Sequence, residues 1–257
     1  MKDLNPKIES VARHTFINNL DRGSVVVDLG ASRGNFSKKI AEKCCYSMLV
    51  LVEGNPELNV ELKDFFKDND AVKVVNAVIG GEPRDGIKFY LSESPSSSSL
   101  FRSFSELNKV KSEINVKMFT LNDIFSMYSI KKIDLLKMDI EGAEWDVLER
   151  FSKEDFDKIE QISVEFHDFI EPGLKARTKN CIKKNKKLGY FFINIGVKYI
   201  NGITYKDCLF YKKKHRKTVF IYRLKCLAES LMRIFLKIPK RILGVINFKR
   251  HKGECQE

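Results

Sequence analysis

The sequence of 257 residues has no G-x-G-x-x-G, no C-x-x-C pair and no uninterrupted apolar run of about 20 residues. Each absence removes a class of protein. Without the third glycine the chain is not a dinucleotide binder of the usual fingerprint. Without paired cysteines it has neither a zinc ribbon nor a disulfide framework. Without a long apolar run no segment is expected to cross a bilayer. The six cysteines (44, 45, 181, 208, 226 and 255) are scattered, and nothing at the start resembles a signal peptide, so reduced thiols in the cytoplasm are expected. Vicinal Cys44 and Cys45 suit the end of a buried helix better than a redox pair. Tryptophan occurs once and histidine four times.

Positive charge is also lacking where a nucleic-acid enzyme needs it. The net charge is +12, but residues 212–257 hold 14 Lys/Arg against 3 Asp/Glu, which leaves residues 1–211 at 32 against 31, a net of +1. A nucleic-acid enzyme concentrates its basic residues around the cleft. No nucleic-acid partner is therefore expected, and the basic character belongs to a tail.

What is present begins at Ser24. Val25, Val26 and Val27 read as a buried parallel strand, followed by Asp28-Leu29-Gly30-Ala31-Ser32-Arg33-Gly34-Asn35 and then a helical pattern from Phe36. A strand, a Gly-rich turn and a helix start bring backbone N–H groups close to a ligand. The surviving pattern is D-x-G-x-x-x-G. It resembles motif I of the S-adenosylmethionine (SAM)-dependent methyltransferases.

Ahead of it, Ile8, Val11, Phe16, Ile17 and Leu20 read as a leading helix that caps the first strand. Behind it, residues 47–53 form a second buried strand ending in Glu53, an acid placed to meet the two hydroxyls of an adenosine ribose. Residues 72–78 form a third, with Asn76 and Ala77 beside an adenine edge; a plain turn is the other reading of Asn76. The Ser-rich stretch 94–99 reads as a loop interrupting the fold on the substrate side. Thr120 and Asp123 are placed as a capping pair for a short helix.

The second strong stretch is Asp134-Leu135-Leu136-Lys137-Met138-Asp139-Ile140-Glu141-Gly142-Ala143-Glu144-Trp145. A buried strand delivers Asp139 and Glu141 to its carboxyl end, and clustered carboxylates there are costly without a task. Glu144 also suits a helix N-terminus. On the next strand, Glu165 and His167 share a face.

With Thr120-Leu121-Asn122-Asp123 upstream and Ser163-Val164-Glu165-Phe166-His167 downstream, this stretch resembles the FkbM-type methyltransferase family over roughly residues 24–195. The resemblance implies a three-layer α/β, Rossmann-like class I fold with a seven-stranded, mostly parallel sheet in the order 3-2-1-4-5-7-6. It implies SAM as cofactor and transfer to a hydroxyl of a sugar, polysaccharide or related natural product. The cofactor set expected is Asp28, Gly30, Ala31, Ser32, Gly34, Asn35, Glu53, Asn76, Ala77 and Asp139. His167 is the first choice of base, with Asp139 orienting or sharing that work and Glu165 beside them. The site is expected to work without metal; the alternative is a divalent ion on Asp139, Glu165 and His167. Other substrates of the same fold, RNA or protein, or a non-catalytic binding role, are the rival readings. An N-P-P-Y-type tetrad for amino-group methylation is absent, its place taken by Asp139-Ile140-Glu141-Gly142.

The expected division is 1–23 cap, 24–211 catalytic domain and 212–257 basic tail. In the tail, Phe220, Leu224, Leu227, Leu231, Ile234, Phe235 and Ile238 form a helical stripe opposite Arg223, Ser230, Arg233 and Lys237. A second apolar run spans 242–248. A helix of this kind suits an anionic membrane surface, here the inner face of the cell membrane; docking on the enzyme itself is the alternative.

Overall fold

The structure is a computed structural model that describes residues 7–106, 109–169, 173–200 and 203–236. The expected leading helix is a β-hairpin instead. Its strands are β1 (Lys7–Val11) and β2 (His14–Asn18), with Val11 opposite His14. The two-residue loop, Ala12-Arg13, has both φ angles positive (46° and 74°), as a tight hairpin turn requires. No Asn-Gly or Asp-Gly marks that turn, which is why the apolar spacing alone suggested a helix.

Next come β3 (Val25–Leu29), α1 (Asn35–Lys43), β4 (Met48–Glu53), α2 (Pro56–Phe65) and β5 (Val72–Asn76), a run of alternating strands and helices. A second sheet follows, made of β6 (Val78–Ile79), β7 (Arg84–Ser92) and β8 (Val110–Phe119), with the short helix α3 (Arg102–Glu106) between the last two. The chain returns through α4 (Leu121–Met127) to β9 (Leu135–Met138). It goes on through α5 (Glu144–Leu148), α6 (Lys153–Lys158), β10 (Gln161–Phe166), α7 (Leu174–Leu188), β11 (Phe191–Ile200), β12 (Ile203–Tyr211) and α8 (Arg216–Leu236). Thr120 and Asp123 do form the capping box of α4.

The central sheet has seven strands in the order β11-β12-β10-β9-β3-β4-β5. Counted along the chain within that sheet, the order is 3-2-1-4-5-7-6. The strands β5, β4, β3, β9 and β10 are parallel; β12 is antiparallel to both its neighbours. Alternation along β3 sorts the layers. Val27 and Leu29 face a core with α4, α5 and α7, while Val26 faces a core with Phe36, Ile40, Leu62 and the hairpin's Val11 and Phe16. Helices thus cover both faces, and the carboxyl ends of the five parallel strands line up along one rim. The single tryptophan, Trp145, is buried at the foot of that rim, where its Nε1 donates to Thr178 Oγ1 at 3.0 Å and ties α5 to α7.

The hairpin is held across the sheet by a side chain that imitates a strand. Gln161 accepts from Ile17 N at 2.8 Å and donates to Ile17 O at 2.9 Å. At the far end, α8 begins inside the body: Val219 is buried with Ile17 and Leu209. His215 lies 3.0 Å from buried Glu160, and with Lys214 it holds that carboxyl down at about 2 although burial alone would raise it. No helix among the described residues is long and apolar enough to cross a membrane. The expected run at 242–248 lies outside the described residues.

Candidate active site

The Gly-rich turn after β3 is shaped first by the neighbouring strand. Gly30 has φ +73°, and a Cβ there would sit 1.9 Å from the carbonyl oxygen of Asp139. Glycine is therefore required because β9 ends against this turn. Gly34 has φ +76° and precedes α1; a Cβ would meet Leu62 at 2.6 Å. Ser32 takes a left-handed φ of 50° that turns its N–H toward Glu53 Oε2, at 2.7 Å. Glu53 Oε1 accepts from Asn55 N at 2.7 Å. Burial raises the Glu53 carboxyl, and these two N–H groups offset part of the rise.

A cleft opens between this turn and the second sheet. Gly30, Ser32, Glu53, Ala77, Asp139 and Glu141 form its polar and backbone side, and Val78, Phe89 and Leu100 its apolar side. Ser96 and Ser98 also line it. The stretch expected as a substrate-side loop is thus a wall of this cleft. A 3₁₀ turn spans Pro95–Ser97, Ser99 pairs with Tyr90, and Ser99 Oγ donates to the Glu141 carbonyl at 2.6 Å.

The expected cofactor residues divide into those that face the cleft and those that build it. Gly30, Ser32, Glu53, Ala77 and Asp139 line it. Asp28 lies behind the turn, fully buried, accepting from Ser37 Oγ at 2.5 Å with Lys137 Nζ at 2.9 Å. Gly34 and buried Ala31 shape the start of α1, and Asn35 is exposed on it. The exposed Asn76 donates its Nδ2 to the carbonyls of Glu53 and Gly54 at 2.9 and 3.3 Å, clamping two strand ends as a turn residue would.

Two functional residues were not singled out in the sequence. Lys137 is a buried lysine in mid-strand, a signal in itself. Its ammonium donates to Gly30 O at 2.7 Å and stands 3.9 Å from Asp139. Burial lowers its pKa, but Asp28 and Asp139 more than reverse this, so the net direction is up. The other is His14, which the hairpin carries to 3.2 Å from Asp139 Oδ2. Asp139 therefore lies between Lys137, His14 and His167. Burial alone would raise its carboxyl, but the Lys137 ammonium and the two imidazoles hold it well below the usual carboxylate range.

The catalytic candidates do converge. His167 Nδ1 lies 2.9 Å from Glu144 Oε1, and its Nε2 lies 3.3 Å from Glu141 and 3.6 Å from Asp139. Burial would lower the imidazole pKa, but Glu141, Glu144 and Asp139 drive it well above the ordinary value. Glu144, expected as a helix-start acid, also accepts from Ile140 N and Gly142 N, which folds the acidic loop around it. Glu141 has a left-handed φ of 47° and is pushed up to about 8, first by burial and then by its acidic neighbours, with His167 opposing. Glu165 is raised by burial and by Asp139. Cys44, at the end of α1, is pushed up to about 12 chiefly by burial, which makes it inert as a nucleophile.

These residues fit SAM. Glu53 keeps lone pairs for a ribose diol after accepting two N–H groups, the wall of Val78, Phe89 and Leu100 suits an adenine face, and the Asp139 carboxylate matches a sulfonium charge.

The sequence also matches known proteins. A family model described as the methyltransferase FkbM domain matches residues 28–192. A curated protein, Methyltransferase 1 of Beauveria bassiana (strain ARSEF 2860), is 26% identical over 177 residues, which cover 60% of this chain and 69% of that protein. Among solved structures, the methyltransferase FkbM of Methylobacillus flagellatus KT is 15% identical with a TM-score of 0.47; 75% of this chain is covered, but this chain spans only 44% of that one. An rRNA methylase from Streptococcus thermophilus is 9% identical with a TM-score of 0.42, covering 76% of this chain and 90% of its own. Residues 28–192, with their Rossmann-like class I architecture, are a methyltransferase domain, and the chain belongs to the FkbM methyltransferase family.

Proposed function

We propose that the protein is a SAM-dependent O-methyltransferase acting on a hydroxyl of a glycan or similar neutral polyol. SAM, when bound, supplies an electrophilic methyl group for in-line transfer to oxygen. The chain's own residues hold the acceptor and its proton. Three carboxylates line the cleft; with Glu53 given to the ribose, Asp139 and Glu141 are the groups to accept a hydrogen bond from the acceptor hydroxyl and then its proton. His167 has carboxylates against both ring nitrogens, a geometry that positions Asp139 and Glu141 rather than one that leaves it free to act as the base. This revises the sequence-based choice of base.

The observation that carries the reading is the run of carboxylates, Asp139, Glu141 and Glu165, beside a cofactor cleft closed by Glu53. Such a mouth pairs with neutral hydroxyls and repels a phosphate backbone, which favours a polyol over RNA. The test is calorimetric titration with S-adenosylhomocysteine, then transfer of labelled methyl from SAM to glycan acceptors. Affinity weaker than about 1 mM would overturn the cofactor reading; methyl incorporation into RNA and not into polyols would overturn the acceptor class.

A second reading concerns α8. Val219 is buried, but Phe220, Ile221, Leu224 and Leu227 are exposed, at positions that share one helix face. Arg216, Lys217, Arg223 and Lys225 accompany them within the same turns. An apolar face with basic flanks suits an anionic lipid surface, where each basic residue contributes about 1 kcal/mol.

A further inference from the structure

The carboxyl rim holds a donor set that the cofactor reading uses only in part. His14, Asp139 and Glu165 come from three separate elements, yet one ligand atom of each lies within 4.8 Å of the other two. His14 and Glu165 are 2% and 3% exposed, so this is no surface cluster of acids. Glu165 is nearly withdrawn from water with no described residue donating a hydrogen bond to it, and the Nδ1 of His14 is buried without a hydrogen-bond partner. A buried carboxylate left so is costly, and a second carboxylate beside it adds repulsion. A bound cation removes both penalties.

We propose that His14, Asp139 and Glu165 bind one divalent first-row cation of the Mn²⁺ or Zn²⁺ kind. One imidazole nitrogen and two carboxylate oxygens are a donor set these ions accept, with coordination positions left for a substrate oxygen. The supports are those of a built site. The Gln161 clamp and the Thr15 Oγ1 bond to Asp207 (2.6 Å) fix the strand carrying His14, and Phe36 packs edge-on against its ring at 5.8 Å. Lys137 and His167 fix Asp139 from its other sides. Asp139 is common to the donor set and the cleft, so the ion stands where an acceptor hydroxyl enters. There it polarises that hydroxyl, which eases loss of its proton to Glu141. This departs from the metal-free expectation, and it replaces His167 of the sequence-based alternative with His14. It rests on the O-methyltransferase reading for its role, though not for the binding itself.

The experiment uses the full chain, stripped with EDTA and dialysed. Electron paramagnetic resonance during MnCl₂ titration should show one Mn²⁺ per chain, and the thermal transition should rise with MnCl₂. His14→Gln and Glu165→Gln should each weaken Mn²⁺ binding by about tenfold or more. S-adenosylhomocysteine is titrated into the same samples. Stripped wild-type protein that binds S-adenosylhomocysteine but no Mn²⁺ up to about 1 mM overturns the metal site alone. Folded variants that bind Mn²⁺ as wild type does also overturn it. Mn²⁺ binding without S-adenosylhomocysteine binding upholds the metal site and overturns the cofactor reading. If both variants fail to fold, the wild-type titration decides.

Discussion

Replacing Lys137 by methionine isolates the interaction that joins the nucleotide turn to the acidic loop. Its ammonium is 2.9 Å from Asp28, donates to Gly30 O, and is buried, as is Asp28. Methionine keeps the volume and removes the charge. Asp28 would then be a buried carboxylate with Ser37 as its one donor among the described residues, and losing one partner of a buried pair costs about 3–5 kcal/mol. The orphaned Gly30 carbonyl adds about 1 kcal/mol. For a chain of this size the sum lowers the thermal midpoint by about 10 °C. Asp28→Asn with Lys137→Met removes both charges and should recover more than half of the loss. Urea denaturation of the single and double variants gives the coupling directly. The reasoning is refuted if Lys137→Met lies within about 1 kcal/mol of wild type, or if the double variant is no better than the single one.

Glu53→Ala should weaken S-adenosylhomocysteine binding by about 1.5–3 kcal/mol, read by calorimetry, through loss of charge-assisted hydrogen bonds. Gly30→Ala should abolish or severely reduce folding, because its Cβ meets the Asp139 carbonyl, whereas Gly86→Ala, with φ +67° and nothing within 4 Å, should cost only about 1 kcal/mol in denaturation. Glu160→Gln should destabilise the protein at neutral pH. The native carboxyl titrates near 2 against an ordinary 4.5, so its contribution is fully present above pH 4.5 and disappears as pH falls through 2; the gap between variant and wild type should close over that window. Phe220→Ser with Leu224→Ser should abolish co-sedimentation with vesicles containing anionic lipid and leave the thermal midpoint unchanged. Truncation at 212 is a poorer test, since it also removes buried His215 and Val219.

The central sheet was legible because its strands are short apolar runs ending in acids or small residues at Asp28, Glu53, Asn76 and Asp139, and the local pattern agrees with the fold. The hairpin was not. Its turn residues carry no turn chemistry, and its strands are defined by partners such as Gln161 and Asp207 that lie far along the chain. His14 was missed with it. The serine stretch was legible as a loop beside the cleft, but composition could not show that Ser98 and Ser99 spend their hydroxyls on Pro95, Phe101 and Glu141. The direction of His167 could not be read either. The carboxylates that meet its nitrogens, Asp139, Glu141 and Glu144, come from another loop.

The Gln161 clamp has a consequence for how the molecule comes into being. Ile17 waits for a partner 144 residues later, and Thr15 for one 192 residues later. During synthesis the hairpin can pack Val11 and Phe16 on α1 early, but its clamps close only once β10 and β12 have followed. Local helices and the early parallel strands collapse first, and closure of the two chain-distant halves comes last. His14 meets its carboxylate partner, Asp139, only after 125 further residues. A product stalled before Asp139 holds His14 and the nucleotide turn but lacks the carboxylates that complete the rim.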